Sequence, residues 1–215
     1  VTRLKQRGMT VGVQLLPGLK GETWHTILET AITVVKLKPD FVRIYPVLVI
    51  ENTELADQYR AGEYEPLSTE QAITYCAFLK TWFEGHNIEV IRTGLQSTEE
   101  LDSGTSLVAG PYEPAMGELV VNEQYKQCIE RCINEHLEYF IDNEPSQWNV
   151  WGRLNTFTDL NISIFYPRSL TSKVRGLKNR NIVYFQEKYP HLKINWYEDS
   201  TRNTVRCCID GLQYV

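Results

Sequence analysis

Apolar and polar positions change period repeatedly along the first half of the chain. Residues 10–16, Thr-Val-Gly-Val-Gln-Leu-Leu, are a mostly apolar run that ends at the turn pair Pro17-Gly18 and predicts a strand. Trp24, Ile27, Leu28, Ala31, Val34 and Val35 then recur at helical spacing, with Thr23 as N-cap and Pro39-Asp40 as the stop. Phe41 to Tyr45 and Val47 to Ile50 read together as a second buried strand. Ser68-Thr-Glu-Gln71 has the capping-box pattern and opens a helix striped by Ala72, Tyr75, Cys76, Leu79, Trp82 and Phe83, ended by Gly85. Ile88 to Arg92 is a third strand. Strands that are near-continuously apolar and alternate with helices predict a parallel sheet with right-handed crossovers. The connection over 51–67 is long and acidic, with Glu51, Glu54, Asp57, Glu63 and Glu65 against Arg60. Such lengths are uncommon unless the loop is functional or covers something.

The second half reads differently. Residues 97–118, rich in Gly, Ser, Thr and Pro, predict a connector. A long helix comes next, with a seam of Tyr125, Cys128, Ile129, Cys132, Ile133, His136, Leu137 and Phe140. After Pro145 comes a Trp-rich turn region, 147–152, and then a strand at Ile162 to Tyr166. One helix is predicted over 176–189, stopped by Pro190. Two alternating strands are predicted at Leu192–Tyr197 and Thr204–Ile209, expected to be antiparallel. The expected organisation is therefore an α/β portion over 1–118 and a long helix with a small α+β unit over 119–215.

Composition narrows the class. The chain has 215 residues, 42% hydrophobic and 23% charged, which suits a packed globular protein and excludes a disordered or fibrous one. A net charge of −5 argues against a general nucleic-acid binder but leaves room for a local basic patch. No run approaches the ~20 apolar residues of a membrane span. The first ten residues, VTRLKQRGMT, hold no initiator Met and no apolar signal segment, and five scattered cysteines do not form a disulfide framework. A reducing cytoplasm is the expectation. A core strand that begins so near the first residue predicts a piece of a longer chain.

No GxSxG, HExxH, GxxxxGK[ST] or CxxC motif is present, so generic motifs name no reaction. Strand alternation is more informative. Val11, Val13 and Leu15 share one face with Val42 and Ile44, which suits packing on helices. Gln14, Arg43 and Tyr45 fall on the other face, as a polar binding surface or as a hydrogen-bonded network inside a barrel. Arg92 is less clear, since its face also holds Ile88 and Val90. Ligands in open α/β sheets and barrels sit at the carboxyl ends of strands, which points to residues 16–19, 45–48 and 93–96. Cys128, Cys132 and His136 lie on one helix face, but their ends are about 12 Å apart along the axis, too far for one metal ion. The expectation is a core seam, with no metal site. Cys207 and Cys208 are adjacent in a strand and point apart. Between 168 and 193, Arg168, Lys173, Arg175, Lys178, Arg180, Lys188 and Lys193 face only Glu187, with Phe165, Tyr166, Tyr184, Phe185, Tyr189 and Trp196 nearby. This is either a nucleic-acid surface, with Lys173, Arg175, Lys178 and Arg180 as its contacts, or a solvated helix face over ordinary core aromatics.

Several segments carry a family likeness. Val11-Gly-Val-Gln-Leu-Leu-Pro-Gly-Leu19 and Lys38-Pro-Asp-Phe-Val-Arg-Ile-Tyr-Pro-Val-Leu-Val-Ile50 resemble the later barrel strands of radical S-adenosylmethionine (SAM) enzymes. Asn52-Thr53, Leu55, Tyr59, Gly62, Tyr64 and Pro66-Leu67 continue the likeness. Ile91-Arg92-Thr-Gly-Leu-Gln96 and the run from Ala109 to Val120 place it nearest the bacterial proteins that resemble the Elongator catalytic subunit. Oxygen-independent coproporphyrinogen III oxidases share only the looser Pro-Gly-Leu and Tyr-Pro features. The resemblance is specific over residues 10–120 and thinner beyond. Lys20 stands where the family usually has Pro, and Glu113 where it often has His. The CxxxCxxC cluster motif is absent, since Glu135 occupies the third Cys position after Cys128 and Cys132.

The resemblance implies an α/β fold: the later βα units of a partial, parallel-stranded radical SAM barrel, followed by a small α+β unit. It implies that the parent protein holds SAM and a [4Fe–4S] cluster on an upstream half of the same barrel, which would be this chain's partner. No cofactor is expected to bind stably to this piece alone. The cluster's electron would cleave SAM to a 5′-deoxyadenosyl radical, so the cofactor carries the hard chemistry. Gln14, Pro17 and Gly18 would lie against SAM, with Arg43, Tyr45 and Arg92 on the neighbouring strands. tRNA is the favoured substrate class. A porphyrinogen-like small molecule, or a non-catalytic RNA-binding or scaffold role, are the alternatives. Nothing resembles the acetyltransferase part of the Elongator subunit, so acetyl transfer is not implied.

Overall fold

A computed structural model describes residues 1–143, 161–201, 203–209 and 212–214, in two compact units, 1–120 and 121–215. The first unit runs α1 (Thr2–Lys5), β1 (Gly12–Leu15), α2 (Trp24–Leu37), β2 (Phe41–Ile44), β3 (Val49–Ile50), α3 (Glu54–Arg60), α4 (Thr69–Gly85), β4 (Glu89–Thr93), α5 (Glu99–Asp102) and β5 (Leu107–Ala109), into the start of α6 (Met116–Asn143). β1, β2 and β4 form a parallel sheet in that order. The two crossover helices start as their sequences require. Thr23 and Ser68 each accept from the backbone N–H three residues on, and Thr26 and Gln71 return the bond to the cap. Ile27, Ala31 and Val34 of α2 and Ala72, Cys76, Leu79 and Phe83 of α4 bury one face of the sheet, against Val42, Ile44 and Val90. Burial pushes the Cys76 thiol up to about 12, as befits a core residue.

Residues 47–50 do not extend the second strand. Pro46 has no N–H to give a ladder, and β3 pairs antiparallel with β5 in a separate sheet. The expected connector over 97–118 thus holds α5 and β5, and the acidic connection over 51–67 holds α3, capped by Thr53.

The second unit contains the rest of α6, then β6 (Asn161–Tyr166), α7 (Thr171–Arg175), α8 (Arg180–Lys188), β7 (Lys193–Glu198), β8 (Arg206–Ile209) and β9 (Leu212–Tyr214). The sheet order is β7-β6-β8-β9. The last two predicted strands therefore run antiparallel, as expected, but are not neighbours. β6 lies between them, parallel to β7 across the helical connection and antiparallel to β8. The single helix expected over 176–189 is broken, because Gly176, Lys178 and Asn179 all have positive φ. Ile129 and Ile133 of α6 pack with Ile162, Ile164, Tyr166, Val174 and Phe185. The Trp-rich region 147–152 and the side chains of His136, Leu137 and Phe140 lie outside the described residues. Among the described residues, no helix is long and apolar enough to cross a membrane.

Gly94 turns the chain away from the sheet directly after β4. Its φ is +83°, and a Cβ there would come within 2.6 Å of the Met116 side chain, itself buried. Gly94→Ala should cost about 2–5 kcal/mol, the sum of a left-handed Cβ penalty and overpacking. Urea denaturation at constant m-value measures it, and a loss below about 1 kcal/mol would contradict this packing.

Candidate functional site

The second face of the parallel sheet is the open one. Register pairs Gln14 with Arg43 across β1 and β2, and Arg43 with Arg92 across β2 and β4. The ladder shifts between Val42 and Arg43, so Ile91 has no partner residue and becomes an extra, bulged position. That bulge resolves what strict alternation left unclear. It moves Arg92 away from the buried face of Val90 and into line with Arg43 and Gln14. All three are exposed, as is Ile91 at 43%. Arg43 lies over the Phe41 ring at 5.7 Å, and Arg92 donates to Gln96 Oε1 at 3.3 Å. Tyr45 is half-buried one residue beyond β2, and its N–H donates to the Leu15 carbonyl at 2.9 Å.

The loop after β1 is fixed from two sides. Gly18 N–H donates to Glu22 Oε2 at 2.5 Å, and the Tyr64 hydroxyl donates to the Gly18 carbonyl at 2.6 Å. Pro17 and Gly18 are buried, and the Pro17 carbonyl accepts from Val47 N–H. Both backbone polar groups of Gly18 are thus engaged within the chain. A cavity of about 200 Å³ opens beside it, lined by Lys20, Glu22, Glu63, Tyr64, Leu67 and Tyr75 among others. Tyr64 and Glu22 went unremarked as a pair at the sequence level because they lie far apart along the chain. The one signal was the unusual length of the acidic connection. A second, open cleft of about 490 Å³ borders Asp102, which accepts from the Ser97 and Tyr112 hydroxyls. Those two bonds hold its carboxyl below the usual range.

In the second unit, Lys173, Lys178 and Arg180 are exposed around the turn between α7 and α8, while Arg175 is half-buried and donates from Nε to the Tyr166 hydroxyl at 2.9 Å. Most of the expected stacking aromatics are core. Tyr166 and Phe185 are fully buried, and Trp196, Tyr184 and Tyr189 pack around them. Cys128 is not buried on the helix seam as expected but exposed, while Cys132, one turn on, packs half-buried beside Cys207. The hydrogen bond with Cys132, together with burial, holds the Cys207 thiol well above the ordinary range.

Glu22 carries a pH signature. Burial raises its carboxyl above the usual value, and the Gly18 N–H only partly offsets this. Its native pKa therefore exceeds the unfolded one of about 4.3, so ionisation lowers stability as pH rises through that window. Glu22→Gln keeps an acceptor for Gly18 without the charge. Its melting temperature relative to wild type should climb between pH 4 and pH 7. A difference that stays flat across that range would contradict the assignment.

Comparison with known proteins completes the description. Residues 39–127 match the model of the radical SAM C-terminal domain. A tRNA uridine(34) acetyltransferase of Methanocaldococcus jannaschii is 33% identical over 134 residues, 60% of this chain and 24% of that protein. The same enzyme of Methanocaldococcus infernus is 32% identical over 134 residues, again 60% and 24%. The chain thus spans about a quarter of the length of these curated relatives. A solved structure of archaeal Elp3 from Methanocaldococcus infernus, with an N-terminal deletion, is 29% identical over 58% of this chain and 28% of its own, with a TM-score of 0.43. By the residues it shares, the chain resembles the C-terminal part of an Elongator-like radical SAM protein, with residues 39–127 matching that family's C-terminal domain.

Proposed function

We propose that this chain is the C-terminal part of a radical SAM enzyme acting on tRNA, in which the open face of β1, β2 and β4 forms the wall of the SAM and substrate cavity. The observation that carries this reading is the line of Gln14, Arg43 and Arg92 across three parallel strands, completed by the bulge at Ile91. Parallel sheets bury both faces. Here helices cover one face, while the other bears two guanidinium groups and an amide, which suits a barrel interior filled by a polar ligand. Paired arginines match carboxylate or phosphate oxygens, and glutamine suits a purine edge. Gln14, Arg43, Tyr45 and Arg92 would bind and orient SAM, with Pro17 and Gly18 shaping the loop against it.

SAM, when bound in such enzymes, supplies the radical precursor. The [4Fe–4S] cluster does not fit the residues present. The chain has no CxxxCxxC, and Cys128 is exposed while Cys132 packs toward Cys207. The cluster belongs, in this reading, to an N-terminal half of the same barrel, the partner of the present portion. Residues 1–118 would be the barrel portion with its connector, and 119–215 the added unit. The relatives' names support tRNA as substrate class, and a cytoplasmic site of action goes with it. Lys173, Arg175, Lys178 and Arg180 would contribute phosphate contacts.

The test uses the longer protein with its cluster, and separates the two surfaces. Arg43→Ala should lower SAM consumption at least tenfold with tRNA affinity and melting temperature unchanged. The Lys173/Arg175/Lys178/Arg180→Ala variant should bind tRNA more weakly, with the log–log salt slope reduced in magnitude by roughly 2–4. Unchanged SAM turnover in Arg43→Ala would overturn the cavity wall. Equal tRNA binding by wild type and the fourfold variant would remove RNA and favour a small-molecule substrate.

A further inference from the structure

We infer that the turn Gly176–Asn179 is a clamp for the sugar–phosphate backbone of single-stranded RNA, and that Asn122 and Asn181 are the positioning residues that hold it. This deepens the RNA reading above and rests on it. Asn122 and Asn181 are the two buried polar residues among those described, 4% and 3% exposed. Both amides bond backbone beside this one turn, and Asn181 also bonds the backbone of α6. Asn181 Nδ2 donates to the Val174 carbonyl at 3.0 Å and to the Asn122 carbonyl at 2.9 Å. The Asn122 amide, in the orientation that satisfies both its atoms, donates to the Lys173 carbonyl at 3.3 Å and accepts from Leu177 N–H at 3.0 Å. A Cβ at Gly176 would come within 3.0 Å of the Asn181 amide, so the closeness of this staple requires glycine.

The turn so held is strained and exposed. Gly176, Lys178 and Asn179 have φ of +75°, +54° and +62°. Lysine rarely adopts that region, whereas asparagine does so more readily. Leu177, Lys178, Asn179 and Arg180 are all exposed. A link that merely joined two helices would need neither two buried amides nor a left-handed lysine. Rigid, strained segments that face solvent are where binding function concentrates.

Its chemistry names the ligand. Cations at 173, 175, 178 and 180 flank or lie within this turn in the sequence of a chain whose net charge is −5; Lys173, Lys178 and Arg180 are exposed, and Arg175 is half-buried with its Nε on the Tyr166 hydroxyl. Cations in that number match a few phosphates of one strand. KH modules likewise clamp about four backbone nucleotides with a short GXXG loop. Here Asn179 stands where that pattern has its second glycine, and keeps the left-handed backbone. A duplex presents its phosphates on two strands across a groove, and calls for cations on more than this one turn.

The test is fluorescence anisotropy of the 215-residue chain with a labelled unstructured RNA of about 12 nucleotides and with an RNA duplex of about 12 base pairs. The single strand should bind at least tenfold more tightly. Asn179→Val, which changes no charge but opposes the left-handed backbone, should weaken single-strand binding at least fivefold, while Asn179→Gly should stay within twofold of wild type. Circular dichroism checks folding, and Asn179→Ala replaces the valine variant if that one unfolds. Equal affinity for the two RNAs, or binding indifferent to position 179, would overturn the clamp and leave the general cationic surface standing. Binding of neither RNA would overturn the RNA reading together with it.

Discussion

Parallel pairing of β1, β2 and β4 is the constraint on which the first unit depends. Parallel strands cannot be joined by a tight turn, so each pair needs a crossover, and α2 and α4 supply it. Those helices bury one face through Ile27, Ala31, Val34, Ala72, Cys76 and Phe83. The candidate site lies on the other face. Register sets Gln14 beside Arg43, the bulge at Ile91 sets Arg92 beside both, and the loop leaving β1 is pinned at Gly18 by Glu22 and Tyr64. The same long connection that supplies Tyr64 also supplies Glu63, so it acts as a wall of the cavity near β1 rather than as a passive link.

The second unit solves a different problem with a different device. Its core is apolar around Ile162, Ile164, Tyr166 and Phe185, yet it admits two asparagines where backbone must be held off helical geometry. A buried amide without partners would be costly, so the bonds from Asn122 and Asn181 to residues 173, 174 and 177 specify that turn closely. Glu130 plays a comparable part at the surface, receiving both the Tyr184 hydroxyl and Lys188. Lys188 is held by that pair.

The fold was legible in the sequence wherever one short-range rule decided the outcome. The N-cap at Thr23, the capping box at Ser68, and the alternation that set Val42 and Ile44 inward and Arg43 outward all read directly; the reciprocal bond from Thr26 at the first cap did not. Long-range choices were not legible. Val49–Ile50 looks like more of β2 until its partner, 107–109, is known, and only Pro46 hinted at the break. The placement of β6 between β7 and β8 depends on hydrogen bonds between distant segments. Arg92 could not be assigned a face because a bulge leaves no mark in hydrophobic periodicity. In the basic stretch, charge was visible, but that Tyr166 and Phe185 are core while Lys173 and Lys178 are surface required the packing. The exposure of Cys128 was missed because its i, i+4 spacing fits a seam equally well on either side of α6.

The central claim is that the open face of this sheet is the interior of a barrel completed by an upstream half. β1 is an edge: the Val11 and Leu15 carbonyls accept from Asp40 and Tyr45, so the amides of Gly12 and Gln14 point away from β2. Hydrogen exchange read at those two amides, in this chain and in the longer parent protein, tests the claim most directly. If upstream strands add to this edge, exchange at Gly12 and Gln14 slows by at least a hundredfold in the longer protein, while core amides such as Val42 change little. Equal exchange at Gly12 and Gln14 in the two proteins would show that no strand joins β1, and the barrel account would fall.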